Sequence, residues 1–245
     1  MAGVIRESWN VYRERIGLAV IFSIPFVIAF AIPLLAPLPT YISAGAIFLR
    51  SASIFANGNI DIVSLAVITA STIFSLLFLS FAFVLISLLV KSKRTHSSVG
   101  KRVFEDLEKY IWKVFSVLLV CTLILIATSM VGYAIGASTL LTAVVGFVLF
   151  LVIFYAPSAI VVDNKKVSRA VADSFRLVLH EPQYFIIWLF LVTVVVSAVD
   201  AACVAAFGTF WSRYVALVLN SLLVVPYFVI FQAEAYMDRF RLLRH

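Results

Sequence analysis

Long apolar runs that are almost free of charged residues constrain this chain more than anything else in it. They lie near 17–37, 62–90, 111–135, 139–162, 184–206 and 214–236. A helix rises 1.5 Å per residue and needs roughly 20 apolar residues to cross about 30 Å of hydrocarbon, a length each run meets. The second run is the longest, so it must tilt or project beyond a bilayer. Strands of a membrane barrel alternate apolar and polar positions, whereas these runs are continuously apolar. The expected fold is therefore all-α: a polytopic transmembrane bundle of six spans in a single membrane domain, 1–245. Composition agrees, with 64% hydrophobic and 13% charged residues, against roughly 45–50% apolar content in soluble domains.

Short cytoplasmic loops retain Lys and Arg, and exported loops do not. If the first span runs outward, every one of the 19 basic residues except Arg50 and Arg213 falls in an inner segment. The chain then reads as three hairpins in the cell membrane, multi-pass, with both termini cytoplasmic. The net charge of +7 follows from this topology and implies no nucleic acid. Its natural partners are membrane lipids, whose anionic headgroups on the inner face attract each nearby Lys or Arg by about 1 kcal/mol. A homo-oligomer or a membrane-protein partner is compatible with the same surfaces. The first run exceeds the 7–15 apolar residues of a cleavable signal peptide and reads as a retained signal anchor.

Each odd-numbered span is preceded by a stretch with helical periodicity. Ile5, Trp9, Tyr12 and Ile16 oppose Arg6, Glu7, Arg13 and Glu14; Val103, Leu107, Ile111 and Val114 oppose Lys101, Arg102 and Glu105; Val167, Val171, Phe175 and Val178 oppose Lys166, Arg169 and Asp173. Such stretches are expected to form cytoplasmic amphipathic interfacial helices, each lying in the headgroup boundary before the chain turns into the membrane. Arg6, Arg13, Lys101, Arg102, Lys166 and Arg169 are the candidate contacts to anionic lipid. Repeat units 1–91, 100–163 and 164–245 follow from the same pattern, with Glu7-Ser8-Trp9 echoed by Asp173-Ser174-Phe175.

Reactive chemistry is sparse. Cys121 and Cys203 have no second Cys or His at ligand spacing, so neither a disulfide nor a metal site is expected. His96, His180 and His245 belong to no metal-binding helix motif, and neither a nucleophile elbow nor a Gly-rich phosphate loop is present. The reading is non-enzymatic and without cofactor. The main polar pattern is in the last span, where Arg213, Asn220, Tyr227 and Glu234 recur every seven residues and so share one face of a regular helix. That face either looks into the bundle or leaves Arg213 and Glu234 to snorkel at the interfaces while Asn220 makes a packing hydrogen bond. Ser64, Ser71, Thr72, Ser75, Ser80 and Ser87 of the second span either pair with it or permit close packing. Asp200 is placed near the outer surface, within reach of Arg213 across the turn. Gly132 and Gly136 sit where a turn is expected.

The segment Tyr155-Ala156-Pro157, Ile160-Val161-Val162-Asp163, Ala170 and Ser174 resembles the superfamily of YciC-like proteins and the membrane domain attached to some glycerophosphodiester phosphodiesterases. The resemblance covers 150–176 and implies a multispan membrane module without an agreed activity. It transfers no catalytic residue, and the longest inner loop, near 91–110, holds no hydrolytic domain. Physically, Pro157 is expected to bend or end a span, and Asp163 with Asn164 to cap the next helix. The preferred function is a lipid-interacting or membrane-organising module. The alternatives are a small-molecule or ion transporter with a polar path along the last span, and a non-catalytic subunit of a membrane complex.

Overall fold

A computed structural model describes residues 2–35, 62–94 and 101–242. Its helices are α1 (Ala2–Glu14), α2 (Ile16–Leu35), α3 (Ile62–Arg94), α4 (Lys101–Ala134), α5 (Ser138–Ile153), α6 (Ala156–Val162), α7 (Val167–His180), α8 (Pro182–Leu219) and α9 (Val225–Leu242), with a π-helical turn over Asn220–Val224. No strand occurs among the described residues. Leu65–Ser92, Leu107–Ala134, Leu140–Val162 and Pro182–Asp238 are each long and apolar enough to cross a membrane, and Gly3–Glu14 with Ile16–Ile32, bent by 91°, meets the same measure when the two are counted as one span. Large hydrophobics such as Ile62, Leu140, Phe190 and Val194 stand on the outside of these helices, a surface that suits hydrocarbon and not water.

The last of these stretches holds 57 residues, which as one straight helix would measure roughly 85 Å. It does not run straight. Gly208 breaks it at φ 70°, ψ 173°, and three hydrogen bonds show the chain folding back: Asn220 Nδ2 donates to Asp200 Oδ1 (3.0 Å), Trp188 Nε1 to the Phe228 carbonyl (3.0 Å), and the Tyr184 hydroxyl to Asp238 (3.5 Å). Only glycine populates that backbone region freely. A Cβ at Gly208 would meet nothing within 4 Å, so Gly208→Ala isolates the backbone cost. It is expected to lower stability by about 1–3 kcal/mol, whereas Gly17→Ala, in a helix with equally open space, is expected to raise it by up to about 1 kcal/mol. Thermal melts of the two variants in one detergent check both signs.

α2 lies along α3, with Phe26 edge-on to Phe83 (5.5 Å) and the Ser75 hydroxyl donating to the Ala29 carbonyl (2.6 Å). Ser71 and Ser80 instead donate to carbonyls of their own helix, so these serines serve packing. Ser64 lies outside the residues whose side chains are described. α5 breaks after Ile153 and α6 begins with Pro157 in its first turn, as the proline predicts. Gly136 takes a positive φ of 69° between α4 and α5.

The approach helices differ from expectation in three ways. α1 does meet α2 at 91°, but it buries Val4, Ser8, Val11 and Tyr12 against the protein and leaves Trp9 exposed, as is Ile16, which opens α2 instead of closing α1. Its inward stripe is thus turned from the one read in the sequence, because it packs on α9 and small Ser8 admits the closer approach. α7 likewise turns inward Ala170, Ser174 and Val178, with Phe175 outside. α4 has no separate interfacial helix: it is continuous from Lys101 to Ala134, since nothing between 101 and 131 is Gly or Pro to interrupt it.

Candidate functional site

Polar groups gather where the turn between α6 and α7 meets α3, α4 and α9. The turn is made by Asn164, in the left-handed region at φ 50°, which Asn tolerates better than most residues. Tyr236 of α9 is almost fully buried and donates its hydroxyl to Asp163 Oδ2 (2.7 Å). Lys165 Nζ reaches the same hydroxyl (3.0 Å) and bridges Asp163 (3.2 Å) and Asp173 (2.9 Å). On the other side, Lys91 Nζ donates to the Val161 carbonyl (2.9 Å), and Lys113 Nζ to Asn164 Oδ1 (3.0 Å). Lys91 thus satisfies a carbonyl at the C-terminal end of α6, where no helical donor follows and the dipole is negative, while Lys113 holds the turn beyond it.

The break before α6 is held by two buried side chains from other helices. Ser174 Oγ of α7 accepts from the Tyr155 backbone N–H (2.9 Å), and Gln232 Nε2 of α9 donates to the Phe154 carbonyl. Phe154 packs edge-on against Phe185 and Trp188 (5.0 and 5.1 Å). The segment carrying the family resemblance is therefore a structural joint. Asp163 and Asn164 do not cap α7: its N-cap position is Lys166, without a side-chain cap bond, because Asp163 is taken by Tyr236 and Lys165 and Asn164 by the turn itself.

A second cluster lies on the last helix. Pro226 has no N–H for the Leu222 carbonyl, and Val225 N–H reaches five residues back to Asn220. This π-turn holds an extra residue, so the positions after it are rotated relative to those before it. The Tyr12 hydroxyl donates to the Leu223 carbonyl (3.1 Å), and the Trp9, Tyr12 and Tyr227 rings lie 5.8–6.1 Å apart. Burial pushes the Tyr12 hydroxyl above the ordinary phenol range, so it stays a neutral donor.

The four residues of the heptad stripe consequently occupy different settings. Arg213 is exposed over the Phe210 and Tyr214 rings (4.8 and 5.1 Å). Asn220 is buried against Asp200, Tyr227 belongs to the aromatic cluster, and Glu234 is buried in the core. Asp200 thus meets Asn220 and not Arg213. Arg6, Arg13, Lys166 and Arg169 are all exposed and make no ion pair among the described residues. The side chains of Lys101 and Arg102 lie outside those described. No group of three or more His, Cys, Asp or Glu that could hold a metal occurs among the described residues.

Sequence reasoning missed Gln232, Tyr236 and Lys165. Each lies at the edge of an apolar or basic run, and only their convergence from separate helices gives them a role. No protein-family model, curated protein or solved structure matches this chain.

Proposed function

We propose that the chain is a six-span protein of the cell membrane, with cytoplasmic termini, that binds anionic lipid headgroups through its inner basic face. The observation that carries this reading is the exposure of Arg6 and Arg13 on α1, of Lys166 at the N-terminal edge of α7 and of Arg169 within it, with no ion pair among the described residues, on helices whose opposite sides are buried against the bundle. Helices held in this way need not fold on binding, so only the side chains are ordered, and their charge is open to phosphate. Six crossings follow if α2, α3, α4, α5 with α6, and the two arms flanking Gly208 each traverse once. The polar joint then orients α7 along the headgroup layer, and no reaction is assigned.

The test is the fourfold variant Arg6→Gln, Arg13→Gln, Lys166→Gln and Arg169→Gln. At about 1 kcal/mol per contact at low salt, losing four contacts is expected to reduce retention of phosphatidylserine over phosphatidylcholine by one to three orders of magnitude, roughly. Added salt should reduce wild-type retention in the same direction. Native mass spectrometry of protein released from mixed-lipid nanodiscs reads both. Equal retention by wild type and variant would remove the basis of the reading.

A further inference from the structure

Asp200 is the one carboxylate between Pro182 and Ala233, the Gly208 half of the hairpin, and its partner is a neutral amide. Asn220 Nδ2 donates to Asp200 Oδ1 (3.0 Å), which leaves Asp200 Oδ2 and Asn220 Oδ1 as acceptors. Asn220 is only 7% exposed, and its Oδ1 has no hydrogen-bond partner. A buried amide oxygen without a donor is costly, and so is a half-buried carboxylate within an apolar stretch of membrane length without a counter-charge. One proton resolves both: placed on Asp200 Oδ2, it is donated to Asn220 Oδ1, closing a ring of two hydrogen bonds between acid and amide.

We propose that Asp200 and Asn220 form a proton-binding site, with Asp200 holding its proton in the folded protein at neutral pH. Loading forms an O–H bond at Oδ2 with a proton taken from water, and unloading returns it, so no co-reactant is needed. A metal ion fits less well, because three side-chain oxygens fall short of the six to eight that Ca²⁺ takes. The site stands apart from the headgroup reading and survives or fails without it.

The neighbouring groups leave the proton to this pair. α2, which packs on the π-turn, carries no titratable residue, and neither does α3 from Ile62 to Val90. On α8 the nearest are Cys203, buried one turn away, and Arg213, over its two rings. On the last helix Tyr227 lies with Trp9 and Tyr12, Ser221 donates to the Leu217 carbonyl, and Glu234 lies two turns beyond Tyr227. Arg50 and Asp61 fall outside the described residues, and Arg50, the one of the two that could neutralise a carboxylate, enters the test directly.

Infrared spectra of the protein in lipid nanodiscs distinguish a neutral carboxylic acid from a carboxylate by its carbonyl stretch. A deuterium-sensitive acid band is expected at neutral pH; subtracting Asp200→Asn separates it from any contribution of Glu234. Asn220→Ala should shift the band, because its hydrogen-bonded ring is lost, and Arg50→Gln should leave it unchanged. Asp200→Asn is expected to melt as wild type does at neutral pH, since two amides reproduce the ring. If it does not fold, the Asn220→Ala shift still reads the site. Absence of the Asp200 band at neutral pH would overturn the proposal, as would its appearance only in Arg50→Gln, which would mean an ionised Asp200 paired with that arginine.

Discussion

Val11→Asp is expected to detach α1 from the bundle. Val11 is 1% exposed and lies one residue before Tyr12, whose hydroxyl ties α1 to the Leu223 carbonyl. A carboxylate there would be buried, and the cation one turn on, Arg15, already donates to the Ser92 hydroxyl. Uncompensated buried charges cost about 3–5 kcal/mol, whereas undocking one amphipathic helix sacrifices only that helix's contacts, so local release is the cheaper response. Limited trypsin digestion checks this: cleavage after Arg6 and Arg13 should accelerate strongly in Val11→Asp and only slightly in Val11→Ala, which removes packing alone. If α1 positions lipid-binding charge, Val11→Asp should also lower phosphatidylserine retention although no basic residue has changed.

The second large effect is at the joint before α6. Ser174→Ala leaves the Tyr155 N–H without its acceptor, and Gln232→Leu leaves the Phe154 carbonyl without its side-chain donor. Each orphans a buried backbone group and is expected to cost about 1–3 kcal/mol. Both secure the same break, so the double variant should cost less than the sum of the two. Thermal melts in a single detergent give the cycle. Strict additivity would mean that the two bonds act on separate elements.

These sites show where the sequence is legible. Pro157 is a local signal, and the break it predicts is there. The apolar length of α3, α4, α5 with α6 and the last stretch is equally local, needing only residue count and rise. Tertiary partners are not encoded locally. The periodic stripe of α1 lies one position away from the face it buries, because α9 and small Ser8 set the closest approach. Asp163 has every local property of a helix cap, yet it serves Tyr236, 73 residues away. The heptad in the last helix assumes an unbroken 3.6-residue period, and the π-turn over Asn220–Val224 removes that assumption. The turn between the runs 184–206 and 214–236 is legible from their lengths, but that Gly208 makes the break, and that Asp200 pairs with Asn220 across it, is not.

The placement of the basic face against the cytoplasmic leaflet is tested most directly by sidedness. Glu7→Cys on α1, Ser168→Cys on α7 and Thr209→Cys beside Gly208 each place one thiol at an exposed position, in a chain whose Cys121 and Cys203 are replaced by Ala. A membrane-impermeant maleimide added to intact cells should label Thr209→Cys, and should label Glu7→Cys and Ser168→Cys only after permeabilisation. Labelling of Glu7→Cys or Ser168→Cys in intact cells, or protection of Thr209→Cys until the membrane is opened, would contradict the proposed topology and the lipid-binding face built on it.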